Sequence, residues 1–133
     1  MTRASGRFLL DTNIAILLLA QDSVIDLNIA WAEEVFLPVT ALGELYFGAE
    51  KSGRPEANRR KLGALLSANV ILPCDVIVAR EYGRLKAVLR KQGTPIPDND
   101  IWIAAIALRN ELTLVSRDRH FERIPGLPLD AWR

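Results

Sequence analysis

The sequence predicts an α/β fold, a three-layer α/β/α sandwich around a mostly parallel central sheet. Two observations predict it. Short apolar runs of strand length alternate along the whole chain with longer segments whose apolar residues recur at helical spacing. The 133 residues, half of them hydrophobic, contain no repeat, low-complexity stretch or linker, so they fold as a single domain spanning 1–133.

Each element follows from a local signal. Phe8-Leu9-Leu10 is a buried strand that stops at Asp11. Asp11 or Thr12 then caps a helix carrying Ile14, Leu17, Leu18 and Leu19. Val24 to Ala32 forms a second short helix. Val35-Phe36-Leu37 is the next strand, ended by Pro38. Thr40 is expected to cap the helix that carries Leu42, Glu44, Leu45, Tyr46 and Phe47. Ser52-Gly53-Arg54-Pro55 is a turn, and Glu56 to Ala68 a basic amphipathic helix with Leu62, Leu65 and Leu66 on one side. Val70-Ile71-Leu72 is a third strand. Asp75 caps a long helix with Val78, Tyr82, Leu85 and Leu89 at helical spacing. After the rigid loop from Gln92 to Pro97, a helix opens near Asp98 to Asp100, with the two aspartates competing for the cap. Leu112 to Val115 is a fourth strand. A turn around His120 and Phe121 leads to an edge strand near Leu129.

Composition excludes several classes. Seventeen Lys and Arg against sixteen Asp and Glu give a formal net charge of +1, so any polyanion partner must be met by a local patch. Cys74 is the only cysteine, which excludes an internal disulfide or a multi-Cys metal site and agrees with a reducing cytoplasm. The stretch from Met1 to Arg7 is polar and develops no signal-like apolar region. No apolar run is long enough to span a bilayer.

The chemistry concentrates in carboxylates. Function in open parallel sheets collects beyond the carboxyl ends of the strands. Asp11 ends the first strand, Asp118 follows the fourth, and Asp100 sits at a helix start that can approach the same edge. Glu44 lies one turn into the helix after the second strand, where its side chain can lean back toward that edge. Each residue also has a structural reading: a cap for Asp11, a turn for Asp118, a solvated helix face for Glu44, a cap for Asp98 or Asp100. Jointly, converging carboxylates repel and raise one another's pKa, and a cation removes that penalty. With one His and one Cys in the chain, the donors suit a hard cation, Mg²⁺ or Mn²⁺, rather than zinc.

Leu10-Asp11-Thr12-Asn13, Thr40 to Leu45, Asp100-Ile101-Trp102-Ile103-Ala104-Ala105 and Leu114-Val115-Ser116-Arg117-Asp118, together with Phe121 to Leu127, resemble the PIN-domain family, and within it the VapC-type toxins of toxin–antitoxin pairs. The resemblance covers about Phe8 to Trp132. It implies a PIN-like fold and a metal-dependent endoribonuclease. It implies that Asp11 and Asp100 are the main metal carriers, that Asp118 completes the pocket, and that Glu44 orients or deprotonates the attacking water. Thr12, Asn13 and Ser116 would be polar supports, and Asp98 would have a capping or outer role. It also implies a homodimer, an RNA substrate such as tRNA or rRNA, and a cognate antitoxin whose C-terminal segment occupies the groove near the site.

An RNA substrate needs cations near its phosphates. Arg117 and Arg119 are favoured because they flank Asp118; Lys51, Arg54 and the run Arg59-Arg60-Lys61 are further candidates. His120 reads as a turn residue free to touch RNA, rather than as a general base. Trp31, Trp102 and Trp132 read as packing residues. Leu18 and Ile25 read as core, with a dimer contact as the alternative. Two rivals in function are considered. An Asp-nucleophile phosphatase of the haloacid-dehalogenase type places a second Asp two residues after the first, where this chain has Asn13. A non-catalytic PIN-like protein-binding module is the other. A receiver domain would need a Lys after the late strand, where Ser116 and Arg117 stand, and an ATPase would need a Gly-rich phosphate loop that is absent.

Overall fold

The structure is a computed structural model that describes residues 6–133; the polar stretch read as free of a leader lies largely outside the described residues. Five strands form one fully parallel sheet in the order β3-β2-β1-β4-β5. They are β1 (Arg7–Leu10), β2 (Glu34–Pro38), β3 (Val70–Leu72), β4 (Thr113–Val115) and β5 (Leu129–Asp130). The helices are α1 (Thr12–Leu19), α2 (Ser23–Trp31), α3 (Val39–Glu50), α4 (Pro55–Ala68), α5 (Val76–Gln92) and α6 (Asp98–Arg109), with a 3₁₀ turn over Arg119–Arg123.

The alternation of side chains along β1 builds the three layers. Leu9 faces one side, where it joins Val78, Leu85 and Leu89 of α5, the apolar run of α6, and Phe121. Phe8 and Leu10 face the other, among Ile14, Ile25, Leu42, Leu45, Leu62 and Leu65 of α1 to α4. A strand buried on both faces has no polar side to show, so it reads as an unbroken apolar run. α6 explains itself the same way: Ile101 and Ile103 through Ala107 are all buried between the sheet and α5.

The register sets up the site. Leu10 of β1 pairs with Val115 of β4, and the Asp11 amide donates to the Val115 carbonyl at 3.1 Å. Beyond that pair the two strands part. β1 runs into α1 on one face, whereas β4 runs into the 3₁₀ turn whose Phe121 packs on the other. Adjacent parallel strands that leave to opposite faces open a crevice at their carboxyl ends.

Three expectations are corrected. Thr40 does not cap α3: β2 passes into the helix without a loop, the cap position is Pro38, and Thr40 already lies in the first turn. Neither Asp98 nor Asp100 caps α6, because Pro97, extended at ψ 143°, holds the cap position and offers no side-chain acceptor. Both aspartates are instead in the first turn, where the helix dipole favours negative charge. Trp31 is 54% exposed rather than packed. Ile25 is fully buried, as its core reading required. Among the described residues, no single helix is long and apolar enough to cross a membrane.

Candidate active site

Asp11 stands at the centre of the crevice and is only 4% exposed. It caps α1, one carboxylate oxygen accepting from the Ile14 amide at 2.9 Å, while the other accepts from the Ser116 hydroxyl at 2.5 Å. A cap and a cross-strand bond together hold the carboxylate in one orientation. Ser116, itself buried, also accepts the Asp118 amide at 3.0 Å, so one hydroxyl ties the end of β1 to the loop after β4.

The other acids arrive from different elements. Asp118 starts the 3₁₀ turn and accepts the His120 amide at 2.9 Å. Asp100 projects from the first turn of α6, with Oδ2 3.3 Å from Nδ1 of His120. The same Nδ1 is 3.2 Å from Oδ1 of Asp118. Asp100, Asp118 and His120 each present one ligand atom within 4.8 Å of the other two. Glu44, exposed on α3, accepts from the Thr12 hydroxyl at 2.8 Å, which places it beside Asp11.

The electrostatics agree with this crowding. Burial pushes the Asp11 carboxyl above the ordinary carboxylate range; its bonds to Ser116 and Ile14 oppose the shift, and the charges of Asp118 and Glu44 add to it. Asp100 is also pushed up, first by burial and then by the charge of Asp118, with His120 opposing and Asp11 adding. Two partly desolvated acids thus feel negative neighbours, the situation a divalent cation relieves. The donors are carboxylate oxygens and one imidazole nitrogen, with no thiolate among them, since Cys74 is exposed at the turn before α5. That set fits a hard divalent ion.

The remaining predicted residues fall into two groups. Thr12 and Asn13 line a groove of about 650 Å³ that opens on Glu44 and continues past Ile16, Phe47, Lys51 and Lys61. Arg119 is exposed on the 3₁₀ turn next to Asp118. Arg117 is directed elsewhere: its guanidinium donates to the carbonyls of Ala131 and Trp132 and fastens the C-terminal tail. Asp98 also turns away, accepting from Lys86 at 2.9 Å and from the Tyr82 hydroxyl at 3.0 Å. Arg59 is paired with Glu50 at 2.8 Å. His120 is the residue whose place sequence reasoning missed. Its signal was the spacing Asp118-Arg119-His120, which a 3₁₀ turn folds back on itself.

The chain matches the PIN domain family over residues 8–127. It is 37% identical over 129 residues to ribonuclease VapC2 of Haemophilus influenzae, covering 95% of this chain and 98% of that one. It is 35% identical over 130 residues to the tRNA(fMet)-specific endonuclease VapC of Shigella flexneri, with the same coverage of 95% and 98%. Among solved structures it is similar to VapBC-1 of nontypeable Haemophilus influenzae, with a TM-score of 0.88 and 29% identity over 95% of this chain and 98% of that one. It is also similar to VapBC2 of Rickettsia felis bound to a DNA fragment from its promoter, with a TM-score of 0.85 and 32% identity over 93% and 97%. A parallel sheet with acids gathered at its switch point, matched over nearly its full length to these relatives, places the chain in the PIN-domain family, among the VapC ribonucleases.

Proposed function

We propose that this chain is a divalent-metal-dependent endoribonuclease, using Mg²⁺ or Mn²⁺, that serves as the toxin of a VapBC-type pair. The observation that carries the reading is the convergence of Asp11, Asp100 and Asp118 on the β1/β4 crevice, where burial and mutual repulsion raise two of them. Asp11 and Asp100 carry the ion and Asp118 completes the pocket. When bound, the ion makes water a better nucleophile and offsets charge on the departing oxygen.

The chain's own groups supply the rest. Ser116 holds Asp11 at a fixed angle through its 2.5 Å bond. Glu44, steadied by Thr12, orients the attacking water and takes its proton as the new P–O bond forms. Asn13 and Arg119 meet the RNA backbone on either side of the crevice. Arg117, tied to the tail, contributes by holding the loop after β4 in place rather than by reaching phosphate. An Asp-nucleophile mechanism finds no support, because the position two residues after Asp11, where such enzymes carry a second Asp, is Asn13.

The relatives' names extend the reading to partners. The substrate is a structured RNA, tRNA foremost, in keeping with a relative named for tRNA(fMet). The solved relatives are complexes with VapB, so a cognate antitoxin is the silencing partner, and the groove beside Glu44 accepts its C-terminal segment. The protein acts as a homodimer in the cytoplasm.

The test compares wild type with Asp11→Asn and Asp100→Asn. Wild type is expected to cut total RNA with Mg²⁺ or Mn²⁺, to stop with EDTA, and to arrest growth when expressed alone. Each variant should lose at least about 100-fold in rate, the scale of removing one preorganised electrostatic group from an active site. Variants that cut like wild type, or cleavage indifferent to EDTA, would refute the proposal.

A further inference from the structure

We propose that His120 is a direct nitrogen ligand of the ion held at this site, and that it tilts the site's preference from Mg²⁺ toward Mn²⁺ and other transition metals. The inference rests on the metal-dependent reading of the acidic crevice.

The geometry argues for it. A single atom, Nδ1 of His120, approaches carboxylate oxygens of two residues that share no element: 3.3 Å to Asp100 on α6 and 3.2 Å to Asp118 at the 3₁₀ turn. In an octahedron with bonds of about 2.1 Å, neighbouring ligand atoms lie about 3 Å apart. Nδ1 therefore already has the spacing of an adjacent ligand to both carboxylates, and the three residues' ligand atoms all lie within 4.8 Å of one another. A cation seated among these three atoms would take the neutral imidazole through Nδ1, with the ring proton on Nε2.

The backbone holds the ring in place for this. The His120 amide donates to Oδ1 of Asp118 at 2.9 Å, the same oxygen that Nδ1 approaches. Phe121, the next residue, is buried in the core against α6, which anchors the turn. The charges also match. A neutral imidazole adds a donor without adding to the repulsion that already lifts Asp11 and Asp100. Imidazole is a poor partner for Mg²⁺, which takes oxygen, and a good one for later divalent metals, so a nitrogen in the set changes selectivity and not affinity alone. Among the described residues, nothing bonds the His120 ring to a group outside this trio, and the ring is half-exposed where Phe121 is buried.

The test measures metal binding in the absence of RNA. Mn²⁺, Co²⁺ and Mg²⁺ are titrated into wild type, His120→Ala, His120→Gln and Asp100→Asn, with circular dichroism and melting to establish that each is folded. Electron spin echo spectra of the Mn²⁺ forms report a coordinated ¹⁴N directly. Wild type should show that nitrogen, and both His120 variants should lose it. Their Mn²⁺ and Co²⁺ affinities should fall about 10-fold or more, the range seen when support of a metal site is removed, with a much smaller change for Mg²⁺. An unchanged ¹⁴N signal in the His120 variants, or an equal loss for all three metals, would overturn the ligand role and leave His120 as a hydrogen-bonding brace. Asp100→Asn separates the two readings: if it binds metal like wild type, the acidic site itself fails, whereas its loss of binding with normal binding by the His120 variants sinks only the inference about His120.

Discussion

At the scale of single residues, the site holds carboxylates in places where ionisation is costly. Asp100 is the clean case, because it caps no helix and its shift comes from burial and the Asp118 charge. Its folded pKa lies above its unfolded one. Between the two values the native state binds more protons than the unfolded chain, so stability falls as pH rises through that window. Metal-free Asp100→Asn should therefore melt above metal-free wild type at pH 7. The gap should close below about pH 4, where the unfolded carboxyl is itself protonated. Added Mn²⁺ should raise the wild-type melting temperature by mass action and leave the variant nearly unmoved. Thermal melts across pH, with and without the ion, check this; a variant that melts lower at every pH would contradict the assignment of strain to Asp100. The individual acids were visible in the sequence, and so was the alternative that each was a mere cap. Asp11 turns out to be both, a cap for α1 and a member of the acidic group. His120 was legible as a residue but not as a neighbour of Asp100, since the two are 20 positions apart and meet only through packing of the 3₁₀ turn on α6.

At the scale of elements, local chemistry explains most starts and stops. Asp11, Asp22 and Asp75 accept amide bonds at the starts of α1, α2 and α5, and α5 ends at Gly93 with φ 72°. That left-handed backbone costs a β-carbon about 1 kcal/mol. No atom lies within 4 Å of a β-carbon placed there, so the cost of Gly93→Ala is backbone strain alone. The variant should lose about 1 kcal/mol in urea unfolding with its metal affinity intact, because Gly93 is not among the residues that build the acidic site. Asp75→Ala should cost a similar amount through the lost 2.9 Å bond to the Val78 amide. The elements whose starts were misjudged share a cause. α3 and α6 both begin directly behind a proline, Pro38 and Pro97, whose fixed φ turns the chain into the helix without a side-chain cap. Thr40, Asp98 and Asp100 carry cap-like side chains, but each sits too deep in the first turn to act as one.

At the scale of the whole molecule, the sheet is closed by its tail. Trp132 is 1% exposed and meets Phe8 edge to face at 5.0 Å, while Arg117 grips the carbonyls of Ala131 and Trp132. The tail thereby covers the same face of the sheet that α1 to α4 pack on, beside the loop that carries Asp118. Trp132→Ala should cost about 3 kcal/mol or more, as large-to-small changes of buried aromatics do. Denaturant midpoints measure it, and a loss under about 1 kcal/mol would show the tail to be dispensable. The same substitution should weaken metal binding only at temperatures where the tail begins to detach.

The order of the elements, the α/β class with a mostly parallel sheet, and Asp11, Glu44, Asp100 and Asp118 as the candidate acids were legible in the sequence alone. Periodicity, caps and residue chemistry are local properties, readable within a few positions. Tertiary structure decided which of those side chains meet. It turned Asp98 toward Lys86 and Arg117 toward the tail, and it set His120 between two acids. The physical reason is that direction and distance between remote residues depend on strand order and on which face each connection covers. Those are outcomes of packing the whole chain, to which no local window has access.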